Sequence, residues 1–587
     1  MSGKKESLTR RNFMVASTAA VAAPLLADVA DVVPEAKAEK ARTSERAKAA
    51  EKSYTFAEQK SCDLVVLGGG GSGLVAAVRA AQQSGKKVIV LEKDTEAGGG
   101  GRGARTVRIF GSKWQAKRNI KDTMAEYAHE KMNSLYWWLD EKVVHNCLRG
   151  TGQFFDWLCE EGGDIEDKFI PGKYVFAHGD YEPISPQHST FGLFVVNLMK
   201  EKAQKYGVEI LTGHPVVDVE VKDGKIVAAV AKSDKGYVRV ACKACVLATG
   251  SWVSNEAICK KYAPQFFELF CANKMAGPAG GGAAGGQGGQ SGQAAQGGAP
   301  GGQGHGPSHM SPNYTGDGIP LAEKVGAFVD YDSFVTRPMG PTVSSPSTVC
   351  TAISQTPFVV TVSRKGQRFA CESVIMNLGF FAGGALLLKV GGAGYDIFND
   401  DAIAAAFAYQ KLPESEKKPV LDVDLVPGYK VRFPETMEKV QSDLKKNLAN
   451  IVHADTLEEL ADQLNVDRAS LVAAIKKYNE GCAAGDDEFF KSKEFLVPLT
   501  HGPYYACRAG MGTDGAFGGV RVNPEMQAYK ADRVNLVEGF YVTGDFATGR
   551  HVNVRGLKWQ VLNDISWAIS SGFLAGTNVA AYLQKLG

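Results

Sequence analysis

The sequence has little net charge: 66 Lys and Arg stand against 64 Asp and Glu, leaving +2 over 587 residues. Bulk charge therefore gives no reason to expect a nucleic-acid partner. The 11 cysteines are odd in number and scattered, so they form no disulfide framework. No Cys-x-x-Cys-His occurs, which excludes a covalent c-type haem on this chain. Cys242 and Cys245 form a Cys-x-x-Cys, but they lie in an apolar run ending at Gly250 without further ligands. A packed strand is the expected reading there, and no metal site is expected. Long apolar runs are also missing. The stretch from Met14 to Ala27 is too short and too alanine-rich for a good membrane helix, and no other span is read.

What is present begins at Asp63. Asp63 to Leu67 reads as a short strand, and Gly68, Gly70 and Gly73 follow in GxGxxG spacing. Leu74 is the expected helix start, and the helix runs through Ala76 to Gln83. Lys87 to Leu91 reads as a second strand ending at Glu92. Gly68 permits the tight turn, Gly70 lets backbone approach a pyrophosphate, and Gly73 lets helix and strand pack closely. The free N–H groups of the helix start favour phosphate, and an acid about 20 residues on accepts from ribose hydroxyls. These residues predict a dinucleotide site and leave NAD or FAD open.

The N-terminus carries Ser7-Leu8-Thr9-Arg10-Arg11-Asn12-Phe13-Met14, an apolar small-residue run, and Ala36-Lys37-Ala38. That order predicts a twin-arginine signal over 1–38 and export of the folded protein to the periplasm or the outer face of a bacterial cytoplasmic membrane. Residues 39–60 read as a linker. Met124 to Glu161 and Leu193 to Lys205 have helical periodicity, and Val208 to Leu211, Val216 to Val221 and Val238 to Leu247 read as strands. Between 277 and 309 the composition falls to Gly, Gln, Ala, Ser and Pro, which cannot bury a core. Thr315-Gly316-Asp317-Gly318 restarts order. A mixed segment follows, with helical runs Leu457 to Leu464 and Ala469 to Tyr478. Tyr504 to Gly587 returns to a glycine-punctuated pattern with a strand (Gly539 to Thr543), Gly544-Asp545 and a last helix from about Val561. The expected organisation is a discontinuous nucleotide-binding domain, 61–339 and 500–587, interrupted by a domain at 340–499.

Several segments together resemble the flavoprotein family of bacterial soluble fumarate reductases and urocanate reductases. They are the glycine fingerprint with Leu91-Glu92-Lys93; Phe155-Asp156-Trp157-Leu158; Gly207-Val208-Glu209-Ile210; Val246-Leu247-Ala248-Thr249-Gly250; Thr315 to Gly318; Gly366-Gln367-Arg368-Phe369 with Glu372; Gly518-Gly519; Gly544-Asp545; and His551 with Arg555. The resemblance runs from about residue 60 to the end. It implies an α/β fold: a discontinuous Rossmann-like FAD-binding domain, an inserted α+β capping domain, and a substrate pocket between them. It implies FAD, held without a covalent bond, since no Asp-Gly-x-Thr-Gly-Ala-Thr site is present. The implied cofactor residues are Gly68, Gly70, Gly71, Ser72, Gly73, Glu92, Lys93, Gly99, Val217, Ala248, Thr249, Gly250, Asp317, Gly544, Asp545, Val561 and Leu562.

The departures from that family bear on substrate. Arg337 stands where the fumarate reductases carry a histidine, and Met376 where they carry a catalytic arginine. Asp514 to Gly519 replaces a His-His-Thr-Met-Gly-Gly segment, and Gly98-Gly99-Gly100-Gly101 replaces Gly-Gly-Asn-Thr or Gly-Gly-Asn-Ser. Arg555 is retained, with Lys558 nearby. A dicarboxylate wants guanidinium and imidazole donors at both ends, so a substrate with at most one carboxylate, or an enone, is expected in place of fumarate. The expected reaction is reduction of an activated C=C bond by reduced FAD, as the terminal step of an anaerobic respiration. Arg555, helped by Arg337, would face the developing oxyanion, and Tyr505, Arg555 or His551 would donate the proton. Electrons would come from a separate cytochrome c or a quinol-linked membrane partner. A dehydrogenase of the 3-ketosteroid type, with tyrosine as acid–base group, and an electron-transfer flavoprotein without its own substrate are the alternatives.

Overall fold

The computed structural model describes residues 53–103, 107–134, 140–162, 191–252, 254–262, 313–334, 337–339, 353, 356–373, 387, 390–391, 393–416, 436–448, 451–512, 517–548 and 564–587. Residues 57–587 form one compact unit, and residues 1–56 form another, of which 53–56 are described. The signal-peptide reading of 1–38 and the Gly/Gln-rich 277–309 lie outside the described residues.

The centre of the large unit is a six-stranded sheet in the order Gln527–Tyr529, Leu536–Val542, Ala244–Leu247, Leu64–Leu67, Val88–Leu91, Glu209–Leu211. All neighbours are parallel except the first pair. The three central strands read LVVL, VIVL and ACVL, with every residue buried. Continuous apolar runs suit strands covered on both faces. Helix Gly71–Ser84 covers one face and packs on the terminal helix Asp564–Lys585. The helices approach closely because Gly572 and Gly576 have no side chains. A β-carbon there would stand 2.5 Å from the Ser72 carbonyl oxygen and 2.6 Å from that of Ala76.

Val238 to Leu247 is not one strand. It divides into Gly236–Ala241, in a separate antiparallel sheet with Lys225–Ser233 and Val216–Lys222, and Ala244–Leu247 in the central sheet. The break falls at Cys242 and Lys243, where the Lys243 and Ala244 N–H groups both donate to the Asp63 carbonyl. Cys245 is buried in its strand, and burial pushes the thiols of both Cys242 and Cys245 upward. The Met124 to Glu161 periodicity resolves into two helices, Met124–Ser134 and Glu141–Glu160.

A second apolar cluster is separate from the first and draws on residues between Ile353 and Cys507. Its sheet runs Arg337–Met339, Tyr504–Gly512, Ala393–Asn399, Val360–Ser363, and Val452–Ala454 also pairs with Tyr504–Gly512. Helices Asp400–Lys411, Leu457–Leu464 and Arg468–Ala484 pack beside it. Strands Val329–Phe334 and Phe517–Arg521 pair with each other instead, and their valines join the first cluster. Phe334 and Phe517 therefore lie in a strand pair of the first cluster, and Arg337 and Gly512 in the sheet of the second. Strands 337–339 and 504–512 share the second cluster's sheet, although the sequence places them with the nucleotide-binding segments. The fold is α/β, a Rossmann-like parallel sheet accompanied by an α+β lobe.

The Gly366 to Glu372 motif sits inside that lobe. The Arg368 guanidinium donates to Glu372 Oε1 at 3.1 Å and Oε2 at 2.7 Å, and also pairs with Asp487. Lys491 Nζ is 3.6 Å from Glu372 Oε2 and donates to the Val359 carbonyl at 2.9 Å. All four side chains are buried. Burial would raise the Glu372 carboxyl, but the Lys491 and Arg368 charges outweigh it and hold it below the usual range. Asp487 is also held low, with its Arg368 bonds outweighing burial.

Candidate cofactor site

Four strand ends open on one cavity of about 290 Å³, at Gly68, Leu91, Ala248 and Gly544. This is the crevice beyond the carboxyl ends of a parallel sheet, where ligands of such folds bind. Gly68 has φ +105°, and a β-carbon on it would stand 2.4 Å from the Ala248 carbonyl oxygen. Gly73 is not in the lining. Its place is against the strand, where a β-carbon would lie 2.1 Å from the Gly68 carbonyl oxygen. The helix begins at Gly71, three residues before the expected Leu74, with Gly70 as an extended N-cap. The first turn is therefore glycine and serine. It carries no acidic side chain, and β-carbons at Gly70 or Gly71 would meet nothing within 4 Å.

Glu92 ends its strand in the cavity wall. Its Oε2 accepts from the Gly69 N–H at 2.7 Å and its Oε1 from the Asp94 N–H at 2.9 Å. Burial raises its pKa against the pull of these two bonds. Each carboxylate oxygen retains acceptor capacity for a ribose hydroxyl. Lys93 donates from Nζ to the Asn313 carbonyl at 2.5 Å, to Thr315 Oγ1 at 2.7 Å and to Asp317 Oδ2 at 2.8 Å. Thr249, also in the wall, has a buried hydroxyl without a hydrogen-bond partner among the described residues. On the far side, the Gly544 N–H donates to Ser571 Oγ at 3.0 Å, and Trp567 Nε1 donates to the Gly544 carbonyl at 2.9 Å. These bonds fix Gly544-Asp545 to the terminal helix. A side-chain-free helix start, an acid at the second strand end and an unpaired buried hydroxyl fit an anionic dinucleotide.

The structure thus brings Gly68, Gly70, Gly71, Ser72, Glu92, Lys93, Gly99, Ala248, Thr249, Gly250, Asp317, Gly544 and Asp545 to one cavity. It does not bring Val217. That residue is 37% exposed, and its neighbour Val216 lines the wall, as strand alternation requires. Tyr505 is also elsewhere. It is packed in the second apolar cluster, stacked on Phe398 with ring centroids 5.5 Å apart, and its hydroxyl donates to Asp400 at 3.1 Å. Burial and the Asp400 charge push its pKa up. Tyr505 is not among the residues that line the cofactor cavity, and its hydroxyl bond to the half-buried Asp400 is the contact it makes in the second lobe. Arg337 opens its strand opposite Gly512. His551, Arg555, Val561 and Leu562 lie outside the described residues, as do Met376 and Asp514. Sequence reasoning missed Asp94, Asn313 and Tyr314, which join the wall. The signal was present in Gly98 to Gly101, since four glycines leave room for a neighbour.

The FAD binding domain family matches residues 63–556, and the chain belongs to that family. It binds FAD and is an oxidoreductase whose relatives act on C=C bonds. A vinyl phenol reductase of Lactiplantibacillus plantarum is 25% identical over 491 residues, covering 80% of this chain and 87% of the relative. A fumarate reductase (cytochrome) of Shewanella frigidimarina is 23% identical over 432 residues, covering 73% of this chain and 61% of the relative. The open conformation of a flavocytochrome c3 fumarate reductase shares the fold, with a TM-score of 0.60, 20% identity, and coverage of 94% and 82% of the two chains.

Proposed function

We propose that this chain reduces an activated C=C bond in a substrate with at most one carboxylate, using FAD held non-covalently in the glycine-walled cavity. The observation that carries the reading is the FAD-binding match over 63–556 on a chain whose cavity fits a dinucleotide. Bound FAD supplies the hydride. The chain's own part is positional and electrostatic. The helix start at Gly70 and Gly71 would hold the pyrophosphate, Glu92 would accept from ribose, and the Thr249 hydroxyl would find a partner in the cofactor. Arg555 is the group proposed to meet the developing negative charge on the substrate, helped by Arg337. Arg555 or His551 would donate the proton. The likeness to a vinyl phenol reductase supports a substrate without two carboxylates, as does Met376 in place of a catalytic arginine.

The second lobe, 340–499 with its flanking strands, is the proposed cap over that substrate. Residues 1–38 are the proposed twin-arginine signal, which places the enzyme outside the cytoplasmic membrane as a terminal reductase. Its electrons would come from a cytochrome or a quinol-linked partner, in keeping with a cytochrome-type fumarate reductase among its relatives. The alternative is a dehydrogenase of the 3-ketosteroid type with a tyrosine as acid–base group; oxidised flavin that is reduced by a saturated ketone would favour it.

The test is anaerobic. The holoenzyme is reduced with dithionite and mixed with 4-vinylphenol, cinnamate-type acids, urocanate, fumarate or a steroid enone, while flavin absorbance is followed. Fast reoxidation by a monocarboxylate or uncharged conjugated alkene, and slow reoxidation by fumarate, is the expected result. Fumarate as the fastest acceptor would contradict the substrate reading. Rapid direct reduction by NADH would contradict the separate donor.

A further inference from the structure

Lys93 and Tyr314 carry an arrangement that dinucleotide binding alone does not require. Segment 313–317 follows the Gly/Gln-rich stretch in sequence and forms one wall of the cavity. It is fastened on two sides. The Ser254 N–H donates to the Tyr314 carbonyl at 3.0 Å and Asn255 Nδ2 to the Thr315 carbonyl at 2.9 Å. Across the cavity wall, all three donors of the Lys93 ammonium are spent on Asn313, Thr315 and Asp317, and Asn313 Nδ2 donates to Asp94 Oδ2 at 2.6 Å. Lys93 therefore has no donor left for a cofactor.

Tyr314 is seated by two missing side chains. A β-carbon on Gly100 would stand 2.3 Å from the Tyr314 hydroxyl oxygen, and one on Gly250 would stand 2.9 Å from its Cε1. The ring thus occupies the space that side chains at 100 and 250 would fill, and it joins two walls of the cavity.

We infer that segment 313–317 is a clasp over the cofactor cavity, held shut by Lys93 and wedged by Tyr314 between Gly100 and Gly250, and that it sets how slowly FAD leaves. Lys93 is then a positioning residue acting through 313–317, not a cofactor contact. The inference rests on the reading that this cavity holds FAD.

The test is the FAD release rate of the holoenzyme, followed as the rise in flavin fluorescence on dilution into FAD-free buffer. K93M loses three charge-assisted bonds, and G100A drives the Tyr314 hydroxyl from its seat. Both are expected to load FAD and release it about tenfold faster or more, the scale of one lost charge-assisted hydrogen bond. K93R keeps the charge but replaces a compact ammonium with a longer planar fork that does not fit the same three acceptors, and it should fall between K93M and the wild type. Wild-type release rates in K93M or G100A overturn the clasp. If K93M fails to fold, G100A decides. Gly70→Val separates the two readings, because its side chain projects into the cavity without meeting protein atoms. If G70V loads FAD like the wild type, the cavity reading fails and the clasp falls with it. If G70V is FAD-free while K93M and G100A release FAD at the wild-type rate, only the clasp fails.

Discussion

At Gly73 a β-carbon would stand 2.1 Å from a backbone oxygen. At Arg368, by contrast, a whole guanidinium is buried against two carboxylates beside a buried lysine. Both places are closed to water, and they tolerate opposite errors. Behind the nucleotide cavity the helix packs on strand backbone at Gly73, so added atoms break it. The lobe cluster balances two cations against two anions, so removal of a partner breaks it. The first region lines the cofactor cavity; among the described residues, the charged groups of the second pair with one another.

Arg368→Met should be the most damaging substitution. It leaves Glu372 and Asp487 buried without their partner, at a cost of about 3–5 kcal/mol in urea unfolding. Flavin content should fall less than stability, because the cluster does not line the cavity. Gly73→Ala should cost about 1–3 kcal/mol from overpacking and should also lower the FAD content of purified protein, read as the ratio of flavin to protein absorbance. Equal flavin loss in the two variants would break the comparison.

Acid sharpens it. Glu372 and Asp487 both have depressed pKa values, so the unfolded chain takes up their protons first as pH falls. Their stabilising contribution is complete above the usual carboxylate range and is lost as pH falls through their lower folded values. Denaturant melts across that window should show the loss in the wild type and a smaller one in Arg368→Met, where Asp487 loses its Arg368 bonds while Lys491 still faces Glu372.

The smallest effect belongs to Phe490. It is 89% exposed with φ +61°, in the loop that wraps the Asp487 carboxylate. Asn tolerates that conformation better, so Phe490→Asn should raise stability by up to about 1 kcal/mol. An unchanged or lower melting temperature would show that the aromatic ring contributes where it stands.

Much of the nucleotide region was legible because its signals are local. Strand, glycines, helix, strand and acid follow within 30 residues, Thr315 to Gly318 leads into a helix start, and Gly544-Asp545 follows a strand end. The helix start was placed three residues late, after the last glycine of the GxGxxG pattern, while the structure takes Gly71, Ser72 and Gly73 into the first turn. Val238 to Leu247 read as one strand because both halves are apolar; only the Asp63 carbonyl, 180 residues earlier, reveals the break. The partner of Tyr505, Asp400, was not legible because it is distant in sequence. Tyr314 was missed for the same reason: its seat is built by Gly100 and Gly250.

The most direct test of the account is a single turnover. Dithionite-reduced holoenzyme is mixed anaerobically with one equivalent of the best conjugated alkene, and saturated product is counted against flavin reoxidised. The account predicts one saturated product per flavin. Flavin that stays reduced with every alkene, or oxidised flavin that is instead reduced by a saturated ketone, would contradict it.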